Sequence, residues 1–455
     1  MQNIVKTKYG SLRGVQEKDY VVFKGIPYAA PPVGALRFKR PEPPAAWEGI
    51  READRFGNIS VQTLPTGEHS WDALYKKEFY DDPDYIPETS EDCLYLNIWT
   101  PTAEPGQKLP VAFWIHGGGF GGGYGSEIEF DGAEYCRRGI ILVSINYRCG
   151  VLGFLAHPWL SAEDEKGISG NYGIYDQIAA LNWVYENIER FGGDPERITV
   201  FGQSAGCMST QVLVSSGLTE NRIKGAVLQS GVMTSVPYLS TPTLAEEEAY
   251  GERIVEITGV KDLAELRALP SDRLLAAHDQ FNGEILQKMM SGEDPDGEGM
   301  LRIVPNVDGY LLKKNVREVF AEGSMKKIPY MAGCVADDLG RTEEDRRKNE
   351  PGLILSSCKE WCQKQEELGN PPAYAYLFTH RLPGEQGTDE AFHSAELWYT
   401  FGTLHRCWRP MKEEDYALSK EMLDAWASFI RTGKPGTDDS WAPCTKESGY
   451  VKVWS

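Results

Sequence analysis

The run Thr199-Val200-Phe201-Gly202-Gln203-Ser204-Ala205-Gly206 constrains this chain more than any other stretch. β-Branched and aromatic residues lead into Gly-x-Ser-x-Gly, and an apolar, helix-like segment follows from Cys207 to Val214. A strand, a sharp turn and a helix in that order make a nucleophile elbow. The turn forces the serine backbone into a strained conformation, so Gly202 and Gly206 must be small to let neighbouring backbone pass. Taken alone, the pattern also fits an ordinary turn. It acquires a meaning only if the chain supplies a base, an acid and a set of oxyanion donors as well.

The flanking sequence predicts a sheet that could carry such a turn. Cys93 to Trp99 alternates at period two, Leu109 to Ile115 is almost continuously apolar, and Ile140 to Ile145 reads as another buried strand. A helix is expected from about Asp176 to Arg190, then a strand from Ile198 to Phe201, with later strands at Gly225–Gln229, Ile328–Ala332 and Ala373–Phe378. From Ile140 to Gln229 the order is strand, helix, strand, helix, strand, which implies a mainly parallel sheet with covering helices. Trp71 to Pro87 reads as a long acidic, aromatic loop with one helical turn. The stretch 241–302 reads as a helical insertion over the sheet, within a single domain spanning 1–455.

Composition removes several classes of function. A formal net charge of −20 argues against nucleic acid and anionic membrane surfaces as partners. No apolar run approaches the roughly 18 residues of a membrane span, and the first residues lack a signal-peptide core. The 9 cysteines have no paired metal-ligand spacing. Cys358 and Cys362 lie one helical turn apart on an expected helix, where packing explains them better than zinc. Free thiols of this kind suit a reducing cytoplasm.

Several motifs together resemble the type B carboxylesterases, the cholinesterase-like branch of the α/β-hydrolases. They are Gly25-Ile26-Pro27-Tyr28-Ala29 with Pro31-Pro32-Val33-Gly34, and Ser90-Glu91-Asp92-Cys93-Leu94-Tyr95-Leu96-Asn97. Trp114-Ile115-His116-Gly117-Gly118-Gly119-Phe120, Asn146-Tyr147-Arg148 and Trp183 to Gly206 follow in the family's order, so the resemblance covers nearly the whole chain. It implies an α/β-hydrolase fold: a central, mostly parallel twisted sheet, helices on both faces and a helical insertion over the active site.

The resemblance also implies roles that the chemistry of each position can support. A serine hydroxyl needs a base to take its proton, which casts Ser204 as nucleophile. Among the 7 histidines, His393 falls where the family carries its base, after the last sheet strand and before an aromatic helix, with His380 as the fallback. His116, opening the glycine loop, suits a backbone-positioning role, and His405 suits packing. The family's acid is usually the glutamate of Asp-Glu-Gly. Here the register places Asp338 at that position in Asp337-Asp338-Leu339-Gly340, with Asp337 as the neighbouring candidate. Gly118, Gly119 and Ala205 would give the oxyanion its backbone donors. A phosphate cradle, the rival reading of the glycine run, lacks the following Lys-Ser/Thr.

Two departures from the family pattern stand out. No cysteine precedes Cys93, so the family's first disulfide cannot form. His393 lies only 55 positions after Asp338, a shorter segment than is usual, which predicts a shallower, more open cleft. The expected activity is hydrolysis of small-molecule carboxylic esters in the cytoplasm, with no metal or organic cofactor. A binding protein without catalysis, and a lactone, carbamate or amide hydrolase with the same triad, are the alternatives. Trp398, Tyr399, Phe401, Phe281, Met289 and Met290 could line an apolar pocket or simply pack.

Overall fold

The computed structural model describes residues 3–68, 70–234, 241–291, 302–348, 350, 352–384, 390–436 and 440–455. In chain order its strands are β1 (Ile4–Lys6), β2 (Ser11–Gln16), β3 (Val21–Pro27), β4 (Ile50–Ala53), β5 (Tyr95–Thr100) and β6 (Leu109–Ile115). They continue as β7 (Ile141–Ile145), β8 (Gly193–Gln203), β9 (Gly225–Gln229), β10 (Tyr330–Val335), β11 (Ala373–Phe378) and β12 (Val451–Trp454). They form one sheet ordered β1-β2-β3-β5-β7-β6-β8-β9-β10-β11-β12, with β4 on β2. From β7 to β12 every neighbouring pair is parallel, whereas β1, β2, β3 and β5 join as antiparallel strands at one side, with β4 parallel to β2. This is the α/β-hydrolase architecture the resemblance implies.

The apolar run of β6 explains why helices cover both faces. Val111, Phe113 and Ile115 point into one core, shared with Leu181, Val184, Val212 and Leu213 of the helices Tyr172–Asn187 and Ala205–Ser215. Ala112 and Trp114 point into the other, shared with Trp398 and Phe401 and with Trp426 and Phe429 of the helix Glu413–Thr432. Alternate side chains of a strand face opposite ways, so a run apolar at every position must be buried twice. Parallel strands also bring their carboxyl ends to one edge. The turns after β6, β8 and β10 therefore converge there, the usual ligand position in such sheets.

Three local expectations need correction. Residues Ser70–Phe79 form a helix of several turns rather than a loop with one turn. Its register is set by distant partners: Phe79 stacks on Trp398 at 5.6 Å, and buried Glu78 meets Arg409. The segment carrying His393 does not follow the last strand, because the short β12 pairs with β11 beyond it. The helix expected over 176–190 begins four residues earlier, at Tyr172, and gives way to a 3₁₀ turn at Ile188–Phe191.

Between 241 and 302 the helices Leu244–Thr258, Leu263–Ala268 and Ser271–Ser291 are described. The first is closed by a Thr243/Glu246 capping box and by Gly259 in the left-handed conformation. It packs on the third through Tyr250 and Phe281, 5.8 Å apart. The side chains of Met289 and Met290 lie outside the described residues.

Candidate active site

Ser204 stands between β8 and the helix Ala205–Ser215 with φ 57° and ψ −124°, a conformation that costs a non-glycine residue on the order of 1–3 kcal/mol. Surrounding contacts hold it there. Its N–H donates to the Gln229 carbonyl at 2.9 Å, and its own carbonyl accepts from Met208 N at 3.0 Å. A Cβ on Gly202 would collide with the Gly206 carbonyl, and one on Gly206 with the Ile115 carbonyl. Both glycines of the motif are thus needed for close backbone approach. Ala205 is the first residue of the helix, where the N–H has no intrahelical acceptor and the helix dipole favours negative charge.

His393 and Asp338 are brought together by two facing loops. A parallel bridge joins Asp337 to Phe392, and Asp337 N donates to Ala391 O at 3.0 Å, fixing the acid turn against the histidine segment. Across this junction His393 Nδ1 lies 2.6 Å from Asp338 Oδ1. The same carboxylate accepts from Leu339 N at 2.8 Å and Val335 N at 3.3 Å, so its orientation is fixed by backbone. Asp337 turns away to accept from Arg341 Nη1 at 2.9 Å. The shorter aspartate is accommodated because the turn after β10 itself is tied to the histidine loop.

Further groups to which the sequence assigned no role surround His393, at its backbone and at its ring. Tyr75 of the helix Ser70–Phe79 donates to the His393 carbonyl at 2.7 Å. The Gln203 carboxamide Nε2 faces His393 Nε2 at 3.2 Å. Glu396, fully buried three residues beyond His393, is pushed up to about 7 by burial and then by the charge of Asp338. Burial pushes the His393 pKa down, but the Asp338 charge and hydrogen bond, with Glu396 behind them, outweigh it and leave it raised. Only Glu396 left a local signal, its spacing of three from His393.

The glycine loop curls beside this cluster. Gly118 has φ 99°, and a Cβ there would strike the Gly122 carbonyl; Gly119 has φ 60°. Buried side chains pin the loop's far end: Gln62 Oε1 accepts from Gly123 N at 2.7 Å, Glu127 Oε1 from Tyr124 N at 3.1 Å, and Asn146 Oδ1 from Gly125 N at 2.8 Å. Gly118 and Gly119 are exposed, and Ser204 is half-buried. His116 is buried, stacks on Tyr147 at 4.2 Å and lies 2.8 Å from the Gly117 carbonyl through Nδ1. Burial lowers its pKa to about 4, so it serves as a neutral donor that shapes the loop.

The other candidates lie apart from this cluster. His380 Nε2 pairs with Asp415 Oδ1 at 2.7 Å, and His405 is exposed on a 3₁₀ turn rather than packed. Trp398, Tyr399 and Phe401 are fully buried: Phe401 packs on Trp114 and Phe201, and Tyr399 on Phe378. A surface cleft of about 790 Å³ lies between Phe38–Glu42, Tyr172, Tyr175 and Tyr310 and shares no residue with the Ser204 cluster.

The helix that carries Tyr75 is anchored by one buried ion pair. Glu78 and Arg409, both with 0% side-chain exposure, meet at 2.9 Å, and Trp398 Nε1 and Trp408 Nε1 donate to the same carboxylate. Arg409→Ala would strand that carboxylate in the core, at a cost of about 3–5 kcal/mol. The urea midpoint is expected to fall accordingly; a change below about 1 kcal/mol would show the anchor to be dispensable.

A family model described as "Carboxylesterase family" matches residues 1–366 and 354–453. The chain is 40% identical to a fumonisin B1 esterase of Sphingopyxis macrogoltabida, over 96% of this chain and 83% of that protein. It is 32% identical to a para-nitrobenzyl esterase of Bacillus subtilis, over 96% and 91% respectively. Among solved structures, a PNB esterase aligns with a TM-score of 0.83 at 28% identity, covering 100% of this chain and 96% of the other. Carboxylesterase EST55 of Geobacillus stearothermophilus aligns at 0.79 with 33% identity and the same coverage. No helix among the described residues is long and apolar enough to cross a membrane. The chain belongs to the carboxylesterase family, has the α/β-hydrolase fold and is a carboxylic ester hydrolase.

Proposed function

We propose that the ester is cleaved through an acyl-enzyme on Ser204, with His393 as general base and acid and Asp338 as its orienting carboxylate. The observation that carries this reading is the 2.6 Å contact of His393 Nδ1 with Asp338 beside a serine held at φ 57°. Asp338 fixes the tautomer with the proton on Nδ1, leaving the Nε2 lone pair for the serine proton. Ser204 Oγ attacks the ester carbonyl as its proton passes to Nε2, and the amides of Gly118, Gly119 and Ala205 receive the charge on the carbonyl oxygen. The imidazolium returns the proton to the departing alkoxide. Water then repeats the sequence on the acyl-serine and regenerates the enzyme.

This reading treats 1–455 as one α/β-hydrolase unit, with the helical stretch at 241–302 as an insertion. It also places the reaction in a reducing cytoplasm, supported by nine cysteines that all stand as free thiols. Rapid mixing with p-nitrophenyl acetate should give a burst of nitrophenolate. Acid quench and peptide mapping should then find one acetyl group on the peptide containing Ser204. Acetyl on any other residue, or none during a clear burst, would move the nucleophile elsewhere.

A further inference from the structure

His393 Nε2, the atom that must accept the serine proton, has a resting partner that the catalytic reading does not use. Gln203 is the last residue of β8, 2% exposed, and its Nε2 stands 3.2 Å from His393 Nε2. The carboxamide has little room. Its Oε1 lies against the glycine loop, 3.1 Å from where a Cβ on Gly117 would stand. Because Asp338 holds the proton of the neutral ring on Nδ1, Nε2 is an acceptor, and the amide N–H of Gln203 is a donor of the right kind to meet it.

We propose that Gln203 is a positioning residue for the base, which clamps the neutral imidazole from the front and restrains its proton affinity. This deepens the reading of His393 as general base and rests on it. The ring is then gripped at both nitrogens, by Asp338 behind and Gln203 in front, so its plane is set before substrate arrives. A hydrogen bond donated to the neutral form disfavours the charged one. Gln203 thereby offsets the groups that favour the imidazolium, namely Asp338 from the turn after β10 and Glu396 on the histidine's own segment. Of the other titratable groups packed nearby, the Tyr75 hydroxyl and the Cys207 thiol are both raised by burial and stay neutral.

Proton transfer alters the partnership in a defined way. The Oγ–H bond of Ser204 breaks, its electron pair forms the Oγ–C bond, and the proton takes up the Nε2 lone pair. Gln203 N–H then faces N–H, which is repulsive, so the amide must withdraw. With Oε1 held against the glycine loop, the carboxamide favours the neutral ring over the charged one. A carboxylate at this position would favour only the charged ring, and an apolar side chain neither.

The test is to titrate the His393 ring by ¹⁵N-histidine NMR in wild type, Gln203→Glu and Gln203→Met, with its signal identified by loss in His393→Gln. This readout does not depend on which residue is the nucleophile. If acetyl trapping on Ser204 fails, the titration still decides the role of Gln203. Gln203→Glu, nearly isosteric, places a carboxylate beside Nε2 and is expected to raise the titration midpoint by about 1 unit or more. The acid limb of kcat/KM should move up by the same amount, a loss of about tenfold per unit on that side. Gln203→Met keeps the bulk without the donor, so the midpoint should rise by less and kcat should fall with little change in KM. A Gln203→Glu midpoint equal to wild type would overturn the proposal, as would a uniform loss of rate at every pH.

Discussion

Ser204→Ala is expected to lower kcat for p-nitrophenyl acetate by on the order of 10⁵–10⁶, the scale seen when a triad nucleophile is removed. What remains should still exceed the reaction in water, because the Gly118, Gly119 and Ala205 amides and the binding surface are untouched. The substitution should not unfold the protein. Alanine keeps the Cβ that makes φ 57° costly, and the backbone bonds to Gln229 and Met208 do not involve Oγ. The strain therefore stays, and the melting temperature should change little. Ser204→Gly separates the two effects: activity should be equally lost, while relief of the positive φ should raise stability by about 1 kcal/mol. Activity above about one hundredth of wild type in either variant would remove Ser204 from the reaction.

What could be read from the sequence, and what could not, divides along physical lines. The elbow was legible because its constraint is steric and local: Gly202, Ser204 and Gly206 lie within one turn, and only small residues let Ile115 and Gly206 backbone pass. The parallel sheet was legible because β6 is apolar at successive positions, which only double-sided burial explains. The carboxylate was half legible. Register pointed to Asp338, but choosing it over Asp337 depends on how Ala391–Phe392 docks against the turn. The Tyr75 and Gln203 contacts of His393 could not be read at all. Tyr75 meets it across 318 positions and Gln203 across 190, and tyrosine and glutamine carry no pattern announcing a distant partner. The same holds for the helix Ser70–Phe79, whose register comes from Trp398 and Arg409 rather than from its own periodicity.

Asp338→Asn should cost on the order of 10⁴ in kcat, whereas Asp337→Asn should cost less than about tenfold. The reasons lie in hydrogen-bond chemistry. The Asp338 carboxylate can only accept, so it requires the proton on His393 Nδ1 and leaves Nε2 basic. An amide at that position can present its own N–H to Nδ1. The imidazole then shifts its proton to Nε2, where it can no longer take one from Ser204. Val335 N, which donates to Oδ2, holds the amide oxygen there, and this puts the N–H at the Oδ1 position against His393 at the expense of the Leu339 N contact. Geometry is kept while function is lost. Asp337, by contrast, accepts from Arg341 Nη1, and its link to the histidine segment runs through its backbone, which asparagine retains. Measuring kcat for both variants across pH separates the two carboxylates. A loss in Asp337→Asn as large as in Asp338→Asn would mean that the pair acts together. Near-full activity in Asp338→Asn would mean that the imidazole is held in its working tautomer by something other than its contact with Asp338.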